Sequence, residues 1–307
     1  MSSYKSLNSL LYELIDYAGL FPPADLDMQA SIKNYNAIVK SDKNWMISQF
    51  IVPISRLDEM TSELLTHFDK QNPLFLSLIS PDFKNQLSKL KHFLTTSKDI
   101  VIFKGLEMVA LDLESLSNSL SNTYSILDKE SDFEPLVFYE LKDSKNWNAE
   151  IDKFTHGIAD FNKIHNVRFG FKLRCGGVKS TMFPSCKKIA KSIISCRNQK
   201  IPMKFTAGLH HPIRHYDNVI KTKMNGFFNI FIGGMIAHKF KIGIDKLVEI
   251  LTDENSSNFI FKDNEIVWNS YSVTNSEVKY YRDKYFISYG SCSFKEPVDD
   301  LQNLGLL

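Results

Sequence analysis

Two short stretches alternate charged or small residues with apolar ones, and each carries a lysine. In 168–177, RFGFKLRCGG, the apolar Phe169, Phe171 and Leu173 fall on one side of an extended chain. Gly170, Lys172, Arg174 and Gly176 fall on the other. In 203–210, MKFTAGLH, Met203, Phe205 and Ala207 oppose Lys204, Thr206, Gly208 and His210. If the apolar sides meet outer helices, both lysines point into one interior. Glu140 is in line with Leu136 and Phe138, and Glu107 follows Gly105 by two residues, so two carboxylates stand ready to answer two lysines. Buried charge is costly unless paired, and a lysine in a poorly solvated pocket beside another cation has its pKa lowered. A neutral amine attacks a carbonyl carbon, and the Schiff base it forms acts as an electron sink. The bland reading is a lysine–glutamate network that fills the polar end of a core; two lysines on adjacent strands weigh towards chemistry.

Other residues extend the candidate set. Gly176–Gly177 and Gly233–Gly234 are expected just past strands, where glycine lets backbone amides approach an anion. With Arg174, Thr206 and Asn229 they would hold a phosphate or carboxylate of a small-molecule substrate. Either glycine pair taken alone is more simply a tight turn. His210 and His211, followed by Pro212, Arg214 and His215, form the densest histidine cluster. Adjacent residues of an extended chain point to opposite sides, so His210 is expected at the mouth as acid, base or ligand and His211 beside it. Glu107, Glu140 and His210 would together suit a divalent metal, which supports a metal-dependent lyase or hydrolase as the alternative enzyme. No HxH or ExxH spacing fixes that geometry, and the leading expectation has no cofactor. Cys175, Cys186, Cys196 and Cys292 form no CxxC pair and read as reduced thiols. Cys292 has no base beside it in sequence and reads as structural.

Such side chains need a scaffold that brings strand ends together. Runs rich in β-branched or aromatic residues at 15–21, 46–53, 74–80, 100–108, 136–142, 167–175, 203–210 and 227–232 alternate with stretches of helical period. That alternation implies parallel strands joined by crossover helices, and eight of them predict a (β/α)8 barrel with its working residues at the strand ends. A doubly wound open sheet can be written from the same pattern. The first run is the least distinct, because 6–16 also reads as a helix entering the AGLFPPA turn. Residues 1–260 are expected to form the barrel and 261–307 a C-terminal extension packed on it, whose alternating or aromatic stretches at 266–273 and 284–288 suggest a hairpin.

GFKLRCGG resembles the lysine-containing, GG-ended strand of class I aldolases of the deoxyribose-phosphate aldolase type, and KFTAG resembles their other lysine strand. The two strands stand in reverse order here. The resemblance implies that one of Lys172 and Lys204 forms a Schiff base and the other tunes it, and leaves open which. The strings IDYAGLFPPA, KFTAGLHHP and GSCSFKEPVDDL resemble a bacterial protein family of uncharacterised activity, over most of the chain.

Composition narrows the classes further. The 37 basic and 35 acidic residues leave a net charge of +2, without the basic field expected of a nucleic-acid binder. A hydrophobic fraction of 43% with 23% charged residues is that of a chain that folds on its own. The first residues lack the marks of a secretory signal, and no stretch is long and apolar enough to span a bilayer. The expectation is a cytoplasmic enzyme, alone or as a homo-oligomer: a Schiff-base carbon–carbon lyase or isomerase acting on a carbonyl compound with an acidic group. A barrel that kept its fold as a binding or scaffold protein is the non-enzymatic alternative.

Overall fold

The computed structural model describes residues 2, 4–130 and 134–307. Helix α1 (Lys5–Leu11) buries Leu7, Leu10 and Leu11 and leads into strand β1 (Ile15–Tyr17). Both readings of the N-terminal stretch are therefore realised in succession. The strand stops at Tyr17 because the Phe21 amide turns back to the Ala18 carbonyl. There follow α2 (Met28–Val39), β2 (Ile47–Pro53), α3 (Ser62–Leu65), β3 (Leu74–Ser80), α4 (Phe83–Thr96) and β4 (Val101–Met108). Asp27 and Asp82 cap α2 and α4 by accepting from backbone amides of their first turns. Next come α5 (Leu116–Leu127), β5 (Leu136–Tyr139), α6 (Trp147–His165), β6 (Gly170–Arg174), α7 (Cys186–Gln199) and β7 (Met203–Thr206). Ser185, directly after Pro184, caps α7 by accepting from the Lys188 amide.

After β7 the chain makes a two-stranded ribbon, β8 (His215–Asp217) and β9 (Thr222–Met224), then helices α8 (Phe227–Phe240) and α9 (Ile244–Thr252). The stretch 266–273 lies in an antiparallel meander of β10 (Phe259–Phe261), β11 (Glu265–Trp268) and β12 (Tyr271–Thr274). Helix α10 (Asn275–Lys284) starts with a capping box between Thr274 and Glu277. Strand β13 (Phe286–Ser291) and helix α11 (Lys295–Asn303) end the chain.

Among the described residues eight strands close a barrel in the order β1-β13-β7-β6-β5-β4-β3-β2, with parallel pairing throughout. The fold is a (β/α)8 barrel, and closure rules out the open sheet. The eighth strand is not the one the sequence suggests. Residues 227–232 begin α8, and the eighth place belongs to β13, which pairs with β1 and β7. The run FFNIFI is apolar on every side, and such a run suits a buried helix as well as a buried strand. Residues past 261 therefore supply a staple of the barrel as well as its outer covering.

Gly233 and Gly234 accordingly lie in the middle of α8, not in a strand-end turn. A side chain on Gly233 would crowd Leu247 and Ile250 of α9, and one on Gly234 would strike Phe286 of β13. These glycines permit close helix packing. Asn229 is likewise inside α8, fully buried; it accepts from the Arg214 amide and donates to the carbonyls of Ile250 and Asp253. These bonds tie α8 to the segment ahead of β8 and to the C-terminal end of α9.

The facing of β6 and β7 agrees with their alternation. Phe171 packs on Phe154 of α6, and Phe205 on Phe231 of α8, so the apolar sides meet the helices. Lys172 and Lys204 are then register partners on the inner side, with Arg174 opposite Thr206 one pleat further on. Among the described residues no helix is long and apolar enough to cross a membrane.

Candidate active site

The inner charged layer is built from five strands. Lys204 Nζ lies 2.6 Å from Asp16 of β1, 2.7 Å from Glu107 of β4 and 3.2 Å from Ser77 Oγ of β3. Each carboxylate is anchored in turn. Asp16 accepts from the Gln49 amide and from Ser288 Oγ of β13, and Glu107 accepts from Ser77 Oγ. Lys204, Asp16 and Glu107 are each no more than 1% exposed, so the group is removed from water and fully paired. Burial pushes the Lys204 ammonium towards neutrality, but the Asp16 and Glu107 carboxylates outweigh it and its pKa lies above the ordinary lysine value. That reverses the lowered pKa expected for a lysine in the interior. Burial alone would raise the Glu107 pKa; the two lysines and Ser77 hold it well below the usual carboxylate range, at about 2.

Lys172 is differently placed. Its Nζ shares Glu107 at 3.4 Å and approaches Glu140 at 3.2 Å, and its side chain borders a cleft of about 500 Å³ at the C-terminal ends of β5 and β6. Glu140 lies one residue beyond β5 and also faces Arg174 Nε at 3.7 Å. The Arg174 side chain is 49% exposed and reaches the same cleft. The wall opposite is formed by Phe183, Ser185 and Lys188, at the N-terminus of α7. A larger cavity of about 690 Å³ opens at the other end of the barrel, among Gln49, Lys104, Arg168, Arg282 and Ser288. Neither interior lysine lines it, whereas barrel chemistry gathers at the C-terminal strand ends.

The remaining expected residues divide. Thr206 ends β7 beside Arg174 and Gly290. Gly176 meets Gly208 and the Phe183 ring so closely that neither glycine has room for a side chain, and Gly177 lies equally close to Met182. These glycines shape the β6–α7 turn next to the cleft. His210 is not on β7: Ala207 and Gly208, both at positive φ, bend the chain out of the strand first. Its Nδ1 lies 2.8 Å from Glu296 of α11 and its Nε2 3.9 Å from Cys292 Sγ, so it serves the β13 side of the mouth. His211 pairs with Asp300 of α11 at 2.5 Å.

Glu107, Glu140 and His210 do not form a cation site. Both carboxylates are engaged by lysines, and among the described residues no group of three His, Cys, Asp or Glu side chains is gathered so as to hold a metal ion. Sequence reasoning missed the lock on Lys204. Its signals were the carboxylate of Asp16 in the apolar run LIDY and Ser77 in the mainly apolar run LFLSLIS. It also passed over Cys292, whose imidazole neighbour comes from 82 residues away.

No family model matches the chain. Its sequence is similar, at 27% identity over 149 residues, to the lipoprotein-releasing system transmembrane protein LolC of Buchnera aphidicola subsp. Acyrthosiphon pisum. The match takes in 45% of this chain and 33% of that protein, so the chain spans about a third of that relative's length. Among solved structures, the deoxyribose phosphate aldolase of Aeropyrum pernix, described as a unique tetramer, is similar with a TM-score of 0.42 and 10% identity. The similarity covers 69% of this chain and 87% of the aldolase.

Proposed function

We propose that the protein is a Schiff-base carbon–carbon lyase, or a related isomerase, with Lys172 as the nucleophile. The observation that carries this reading is the contrast within the lysine pair. Lys204 is saturated by Asp16, Glu107 and Ser77, while Lys172 holds its carboxylates at longer range and borders the cleft.

In this reading Glu140 takes a proton from Lys172, and the free amine adds to the carbonyl carbon of the substrate. Loss of water, which carries away that proton, leaves a protonated imine; it draws the electron pair of the bond between the α and β carbons as that bond breaks, while the β-hydroxyl becomes a carbonyl and gives its proton to Glu140. Glu140, 3.2 Å from Nζ, is the group placed to return the proton to the resulting carbanion. Lys204 supplies a fixed positive charge, shared with Lys172 through Glu107. Arg174, Lys188 and the N-terminus of α7 all border the cleft and suit an acidic group on the substrate.

Borohydride reduction in the presence of a panel of aldehydes and keto acids, followed by peptide mass mapping, tests the assignment. The reduced adduct is expected on the peptide carrying Lys172. An adduct on Lys204 instead would overturn the assignment of roles, and no adduct on either lysine across the panel would overturn the reaction class.

A further inference from the structure

At the barrel mouth, on the side away from β5, three residues from separate elements come together. Cys292 follows the end of β13, His210 lies in the turn after β7, and Glu296 is in the first turn of α11. Cys292 Sγ is 3.9 Å from His210 Nε2, and His210 Nδ1 is 2.8 Å from Glu296 Oε2. That is the order of a nucleophile, a proton-transfer group and a carboxylate that orients it. Ser291 Oγ, 3.5 Å from Nδ1, completes the ring's near surroundings. The lysine reaction described above uses none of these groups.

We propose that Cys292 is a second nucleophile of the barrel mouth, activated by His210 and oriented through Glu296, which adds reversibly to the carbonyl carbon of a small aldehyde. Burial opposes a charge on His210, but its hydrogen bonds with Cys292 and Glu296 outweigh that and push its pKa up to about 9. The ring therefore carries a proton at neutral pH, and an imidazolium beside a sulfur favours the reactive thiolate. A proton on Nε2, 3.9 Å from the sulfur, is the one the proposed step uses. As the sulfur–carbon bond forms, the carbonyl π pair moves to oxygen and Nε2 gives that oxygen its proton, leaving a hemithioacetal and a neutral imidazole. Reversal restores thiolate, imidazolium and aldehyde, and no oxidant, leaving group or metal is required.

The other cysteines lack this environment. Burial raises the pKa of Cys175, Cys186 and Cys196, and no imidazole bonds any of them among the described residues. Other titratable side chains near the triad include Tyr17 of β1, whose pKa burial raises, and the His211–Asp300 pair.

Iodoacetamide labelling of the folded full-length chain, read by peptide mass mapping, tests the proposal. Cys292 is expected to label at least about tenfold faster than Cys186 at neutral pH, although the two are 9% and 6% exposed. His210→Asn is expected to remove most of that advantage. Glu296→Gln, at a half-exposed side chain that leaves the fold intact if His210→Asn does not, is expected to move the rate profile to lower pH. Propanal is expected to protect Cys292 equally in the unaltered chain and in Lys172→Arg, which separates thiol addition from imine formation. Labelling of Cys292 no faster than Cys186, or indifferent to both substitutions, overturns the activated thiol. Labelling that propanal does not slow overturns the aldehyde as its substrate.

Discussion

Lys172 and Lys204 are the same residue type, on neighbouring strands, in direct register and on the same inner face, yet the barrel treats them in opposite ways. Lys204 is fully buried, and β1, β3 and β4 each present a polar side chain to it. Lys172 pairs with Glu107 on β4 and Glu140 just past β5, and it borders the cleft. The difference teaches that an inward-facing charge becomes structural when three strands converge on it, and stays available when the barrel opens beside it. Local sequence around the two residues does not contain that distinction; closure of the sheet creates it.

Replacing each lysine is the strongest way to break this comparison. Lys172→Met is expected to abolish borohydride trapping while leaving the unfolding midpoint close to that of the unaltered chain. Lys204→Met is expected to do the reverse at the level of stability: it removes the ion pair of buried Asp16 and leaves Glu107 with only the more distant Lys172, a loss of about 3–5 kcal/mol in urea unfolding. Equal stability losses for the two variants would erase the contrast. Next in size, Glu140→Gln is expected to lower turnover by about 10²–10⁴-fold on whatever substrate is found, because proton transfer is lost while the pocket keeps its shape. A change confined to KM would assign Glu140 to binding instead.

The acid side gives a graded test of the locked half. Glu107 has its pKa depressed in the folded chain, from an ordinary value of 4.5 to about 2. A depressed carboxylate contributes stability that is present above its unfolded pKa and lost as pH falls through the folded one. Urea midpoints are therefore expected to fall between about pH 4.5 and pH 2, and this fall should be smaller in Lys204→Met. Lys204, raised in the folded state, contributes in the opposite sense: its part is complete below the ordinary lysine value of 10.5 and is lost at higher pH.

What could be read in advance follows the same divide. Strands β6 and β7 announced their facing because polar and apolar residues alternate without interruption through Lys172 and Lys204. Strand β13 did not, because its pairing with β7 shifts register between Phe286 and Tyr289. Phe286 packs outward on Phe205 and Phe231, and Ser288, two residues on, turns inward to Asp16. A bulge of this kind breaks the period of two on which strand recognition rests. The apolar run of α8 then took the eighth place by default. Lys172, Arg174, Glu107 and Glu140 were legible as individual inward charges, whereas the Asp16 lock and the Cys292–His210–Glu296 array depend on β13 lying between β1 and β7.

The smallest expected effect probes whether that late strand matters to the lysine pair at all. Ser288 Oγ donates to Asp16 Oδ2 at 2.5 Å, the same oxygen that pairs with Lys204. Ser288→Ala removes one hydrogen bond to a buried charge while leaving Asp16 with Lys204 and the Gln49 amide. A loss of about 1.5–3 kcal/mol is the general range for a bond to a charged group, and the two surviving partners place this case at its lower end. Trapping at Lys172 is expected to be unchanged, because Asp16 reaches Lys172 only through Lys204 and Glu107. Should the variant slow trapping at Lys172 as well, the locked and open lysines would be two parts of one electrostatic unit, and the division drawn between them would have to be replaced by a gradient across the barrel.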